Sequence, residues 1–162
     1  MTTPTFIRVN IIGYGGEPAS LLCALDTATG MLRVSDDREI EPGGRPGWLL
    51  ITNSSSDESA DAFFRRDMLR DAIAAFFDMD SVGLVSLASK AVRADPRSKI
   101  EADGIDERGT KYRIKSDCGN KQIAVLAACW FARMQVSVSD SIAFMTGVDS
   151  WGDGGGVDAV IA

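Results

Sequence analysis

The chain opens with an alternation of apolar and polar positions. From Thr5 to Ile12, Ile7, Val9 and Ile11 alternate with Phe6, Arg8 and Asn10, the period-two pattern of a strand with two unlike faces. Gly13 to Pro18 interrupts it. Two further apolar runs, Ser20 to Leu25 and Met31 to Ser35, flank Asp26-Thr27-Ala28-Thr29-Gly30, a segment with hairpin-turn composition. Glu41 to Gly47 reads as a loop and Trp48 to Thr52 as another strand, so the first 52 residues predict an antiparallel sheet.

The period then changes. Beyond the polar connection Asn53 to Asp57, where Asp57 or Ser59 is placed to cap a helix, residues 58–79 put Ala62, Met68, Leu69, Ala72, Ile73 and Phe76 on one broad face at helical spacing. Ser81 to Leu87 fits a strand or a short helix, and residues 88–94 extend as helix until Asp95-Pro96 stops it. Residues 95–111 predict a long loop or loose hairpin, Lys111 to Lys115 a half-exposed strand, and residues 119–135 a second helix. From Ile123 to Met134 that helix is apolar nearly all round, which places it in the middle of the fold. Val136 to Met145 fits either strand or helix, and a glycine-rich acidic loop at 149–156 precedes the final apolar residues. Without repeats or an evident boundary, the expectation is one α+β domain, 1–162, with an N-terminal antiparallel sheet packed against helices at about 58–79 and 119–135.

Composition narrows the chemistry. An apolar fraction of 45% and a charged fraction of 25% are globular values. The N-terminal residues lack the basic patch and apolar run of a secretion signal, and no stretch is apolar enough for a membrane span. Three cysteines, Cys23, Cys118 and Cys129, make no disulfide framework, so a reducing, cytoplasmic setting is expected. The chain has no histidine. Ser-His-Asp and Cys-His hydrolases and histidine-ligated metal sites are therefore excluded within one chain. The predominance of Asp among acids and Arg among bases, with abundant Ala and Gly, fits a GC-rich bacterial or phage genome.

Several residue groups are candidates for chemistry. Gly13-Tyr14-Gly15-Gly16 after a strand, with Asp36 and Asp37 some twenty residues on, imitates the start of a dinucleotide-binding unit. That reading needs a helix at 18–25, where a hairpin is expected. Cys118, just before the apolar helix and near Lys121, is placed where a thiolate could be stabilised, although Asp117 opposes it and a structural loop cysteine is the plainer reading. Asp78 and Asp80, and separately Asp149, Asp153 and Asp158, have spacings that could hold a divalent cation, but none matches a calcium-loop template. Ser54-Ser55-Ser56 reads as a linker. No cofactor and no metal is expected.

Charge is more informative. Residues 35–80 carry eleven acids against five arginines, whereas residues 84–121 carry nine bases against six acids. On the expected first helix Asp67, Asp71 and Asp78 share one side, with Phe63 and Phe77 near it. Aromatic anchors beside charges have the composition of a protein interface; burial of both Phe residues between layers is the plainer reading. By type alone, a short, acidic, histidine-free domain resembles the inhibitors that phages and mobile elements make against host defence, including anti-CRISPR and anti-restriction proteins. That resemblance rests on size and charge and assigns no residue. It implies a non-enzymatic module docking on a basic, nucleic-acid-binding protein, with no direct nucleic-acid or membrane binding. A small enzyme or ligand-binding domain using Cys118 or the Asp78/Asp80 pair is the second reading, and a structural phage component the third.

Overall fold

The computed structural model describes residues 4–36, 49–54 and 60–146. It is an α+β fold: one mixed six-stranded sheet, a separate two-stranded hairpin and two helices.

The alternation at the N-terminus becomes β1 (Thr5–Ile11), which pairs antiparallel with β2 (Ala19–Asp26). β2 in turn pairs antiparallel with β3 (Met31–Asp36). The turn between β2 and β3 closes as its composition predicts. The Asp26 carboxylate accepts the Ala28 N–H (2.9 Å), the Asp26 carbonyl accepts the Gly30 N–H (2.7 Å), and Gly30 adopts φ +81°.

The sheet is not antiparallel throughout, in contrast to the expectation for the first 52 residues. β4 (Leu49–Thr52) lies on the far side of β1 and runs parallel to it. β4 joins the edge opposite to β3, so these two consecutive strands are not neighbours and form no hairpin. β5 (Ala62–Phe63) and β6 (Val85–Leu87) complete the edges, each parallel to its neighbour, to give the order β5-β4-β1-β2-β3-β6.

The first helix is shorter than its sequence period suggests. Residues 62–63 are strand, residues 66–68 form a 3-10 turn, and α1 spans Leu69–Ser81. The edge of β4 captures the segment before it. Asp61 donates its N–H to the Leu50 carbonyl and accepts the Leu50 N–H at its carboxylate (2.8 and 2.7 Å), and Phe64 donates to the Thr52 carbonyl (2.8 Å). The expected caps Asp57 and Ser59 lie outside the described residues, as do the loop at 41–47 and everything after Thr146. The segment at 88–94 is a 3-10 helix, Ser89–Ala94, and ends where Asp95, extended before Pro96, forbids another turn. Residues 95–111 resolve into a short 3-10 turn and a hairpin of β7 (Ile100–Asp106) and β8 (Gly109–Ile114). α2 runs from Asn120 to Thr146, well past the expected 135.

One face of the sheet carries Ile7, Val9, Ile11, Leu21, Cys23, Leu25, Leu32, Val34 and Ile51, all buried. α2 lies across β1 and β2 on that face, and α1 packs beside it with β6 and β8 as further neighbours. From Ile123 to Cys129 every α2 side chain is buried, in keeping with a helix apolar all round. Among the described residues no helix is long and apolar enough to cross a membrane.

Candidate functional site

The helix pair leaves a groove on its outer side. Asp71, Ala74, Ala75 and Asp78 recur at three- and four-residue intervals, so they share one face of α1 and form one bank. Trp130, Arg133 and Met134 form the other bank from α2, and the space between is about 410 Å³. Small side chains at 74 and 75 create the depth. The Trp130 ring is held by an edge-on contact with Phe64 (centroids 5.7 Å) and a tilted one with Phe131 (6.4 Å), whereas Met134 remains 43% exposed. Arg133 reaches across to Asp78 (2.7 Å). Beyond that bridge a second hollow, about 350 Å³, continues to Gly30, Met79, Val82 and Leu84.

The five residues singled out from the sequence are dispersed by the fold. Asp71 and Asp78 both line the groove, and no ion pair of Asp71 occurs among the described residues. Asp67 sits on the 3-10 turn before α1, paired with Arg65 (3.3 Å). Phe63 is on β5 opposite Thr52, which in turn shares a register with Asn10 of β1. By strand alternation it belongs to the sheet face away from the helices, where it is 41% exposed. Phe77 points instead toward the hairpin, stacked on Tyr112 (5.7 Å, 16°) and edge-on to Phe76. The expected cluster of phenylalanines beside the acids therefore does not form. It rested on a helix running unbroken from 58, and the strand at 62–63 and the hairpin at 100–114 remove both aromatics from that side.

Trp130, Arg133 and Met134 were not apparent as site residues. Their apolar neighbours hide them in the run from 123 to 134; the available signal was Arg133 and Gln135 arriving within five positions of Trp130, which marks a solvated side on that turn.

The other candidates are occupied by structural roles. Gly13-Tyr14-Gly15-Gly16 leads into β2, antiparallel to β1, and not into a helix, so the dinucleotide-binding arrangement is absent. Its carbonyls instead clasp the start of α2. The Gly15 carbonyl accepts the Asn120 N–H (2.9 Å), and the Asn120 side chain accepts from Tyr14 N–H (2.8 Å) while donating to the carbonyls of Gly16 and Glu17. Gln122 accepts the Gly119 N–H at its side-chain oxygen (2.8 Å), which uses another donor of that helix end. Cys118 is 5% exposed. Burial, with the neighbouring Asp117 charge, pushes its thiol up to about 11 against a weaker opposing pull from Lys99, so a thiolate at 118 is not favoured. Asp117 itself pairs with Lys99.

Asp78 and Asp80, two residues apart on a helix, project to different sides: Asp78 to Arg133 and Asp80 to Arg97 (3.0 Å). Among the described residues no three carboxylate or thiol side chains gather as a metal cluster. Asp149, Asp153, Asp158, Ser55 and Ser56 lie outside the described residues. The acidic excess does too: residues 37–48, 55–59 and 147–162 hold eight acids against two bases, and the described residues hold fifteen of each. Comparison with protein-family models, curated proteins and solved structures gave no match to this chain.

Proposed function

We propose that this chain is a non-enzymatic protein-binding domain whose α1–α2 groove receives an apolar element of a basic partner. The observation that carries the reading is the groove's make-up: an apolar floor and a partly exposed tryptophan beside Asp71 and Asp78 on one bank. A large aromatic at the centre with charges at the rim is the arrangement in which a few contacts dominate affinity. The chain's net charge of -6 speeds encounter with a cationic surface. The role that best fits its size and charge is that of an inhibitor made by a phage or mobile element, of the anti-CRISPR or anti-restriction kind, occupying the nucleic-acid site of a host protein.

The test is capture from a lysate of the source cell on immobilised wild-type protein and on the Asp71→Asn/Asp78→Asn double variant, at low and high salt. A basic protein retained by the wild type at low salt, and lost by the folded variant and in high salt, is the expected result. Retention indifferent to both carboxylates overturns the assignment of the groove.

A further inference from the structure

We infer that the element this groove accepts is an α-helix of the partner bearing two basic side chains seven residues apart. The inference rests on the groove being the docking site. Asp71 and Asp78 stand two helical turns apart on α1, about 10.5 Å along its axis at 1.5 Å per residue. A helix laid along the groove repeats the same distance between its own positions i and i+7, which share a face. Its positions i+3 and i+4 then fall over Ala74 and against Trp130, in a space of about 410 Å³. Same-face positions of an extended strand recur at about 6.6 or 13 Å, which bracket the spacing and miss it. A polyproline helix comes nearer, at about 9.3 Å per turn.

Arg133 gives the proposal a second handle. Its bond to Asp78 joins side chains that are 51% and 64% exposed, the setting in which ion pairs are weak and easily exchanged. An incoming cation competes with Arg133 for Asp78, and Arg133 also repels a basic helix. Removing it therefore strengthens binding, the opposite of what loss of an ordinary interface arginine does.

Three labelled probe peptides titrated against the full-length protein test this by fluorescence anisotropy. Two are helical and of identical composition, one with Lys at i and i+7 enclosing Leu at i+3 and i+4, the other with the second Lys moved to i+5. The third is a proline-rich peptide with Lys at i and i+3. The matched helix should bind about tenfold or more tighter than the other two. Ala74→Gln, which fills the groove from a half-buried position without altering charge, should abolish that preference, and Arg133→Gln should tighten it several-fold. Equal affinities, preference for the proline-rich probe, no binding by either helix, or weaker binding by Arg133→Gln overturns the helix assignment. Capture that depends on Asp71 and Asp78, together with failure of the helices, removes only this inference. Capture independent of the two carboxylates removes the reading beneath it.

Discussion

Gly119 shows how little room the clasp at the start of α2 leaves. A Cβ built there would meet the Gly15 carbonyl oxygen at 2.7 Å, and that oxygen is backbone, held by the Asn120 N–H. Gly119→Ala should therefore force the two segments apart and cost roughly 1–3 kcal/mol. Asn120 is 2% exposed, and its side chain serves three backbone groups of residues 14–17. Replacing it by Ala removes three bonds to part-buried backbone groups, with an expected loss of roughly 1–3 kcal/mol in urea unfolding and little change in m-value. Gly13, where an added Cβ meets nothing within 4 Å, serves as the comparison; there Ala is strained by φ +87° alone. The sequence made the glycine-rich turn visible, but not its purpose. A turn that binds a cofactor and one that binds the chain's own later helix have the same composition, and only the position of residue 120 distinguishes them.

At the scale of elements, the hairpin β7–β8 is fastened to α1 at two points. Tyr112 stacks on Phe77, and Arg70 grips the Asp106 carboxylate with both guanidinium nitrogens (3.0 and 2.6 Å) while donating to the Gly109 carbonyl. The Arg70 bonds, then the Arg108 N–H, hold the Asp106 carboxyl down at about 2 against an ordinary 3.8. A lowered folded-state value means that the fastening is fully present above about pH 4 and is lost as pH falls through about 2. Protection factors of the amides in residues 100–114, taken relative to the intrinsic exchange rate at each pH, should thus fall in acid before those in α2 do, and Asp106→Asn should lower them already at neutral pH. Unchanged hairpin protection in that variant would show that the Phe77–Tyr112 stack suffices. This hairpin was only partly legible in sequence. Lys111 to Lys115 alternates clearly, but β7 carries a bulge between Ala102 and Ile105 and little apolar patterning, because most of it faces solvent. The 3-10 segments escaped detection for a related reason: three to six residues are too few to establish a period. α2 was legible because burial on all sides demands an uninterrupted apolar run. The groove was half legible: Asp71 and Asp78 stood out by charge, whereas its α2 bank was concealed within that run.

Across the whole molecule, the pairings that define the fold are remote in sequence. β4 returns to β1, β6 to β3, and the bond from Tyr14 N–H to Asn120 spans 106 residues. The sheet face that α2 covers holds Ile7, Val9, Leu21, Cys23 and Leu25, all buried, and among the described residues nothing before residue 120 supplies α2's cover. A chain ending at residue 118 should consequently lack a cooperative thermal transition and bind a dye such as ANS, although it contains every strand found among the described residues; a sharp transition in that fragment would show that α1 alone can close the core. The same dependence acts during synthesis. The strands leave the ribosome while their covering helix is still untranslated, so the nascent chain presents a row of oily residues for the time needed to make about a hundred more, at roughly 5–20 per second. Release from that exposed state comes with translation of the stretch around Ile123 to Ala132, and a cell short of chaperones would be expected to lose this protein before it is finished rather than after.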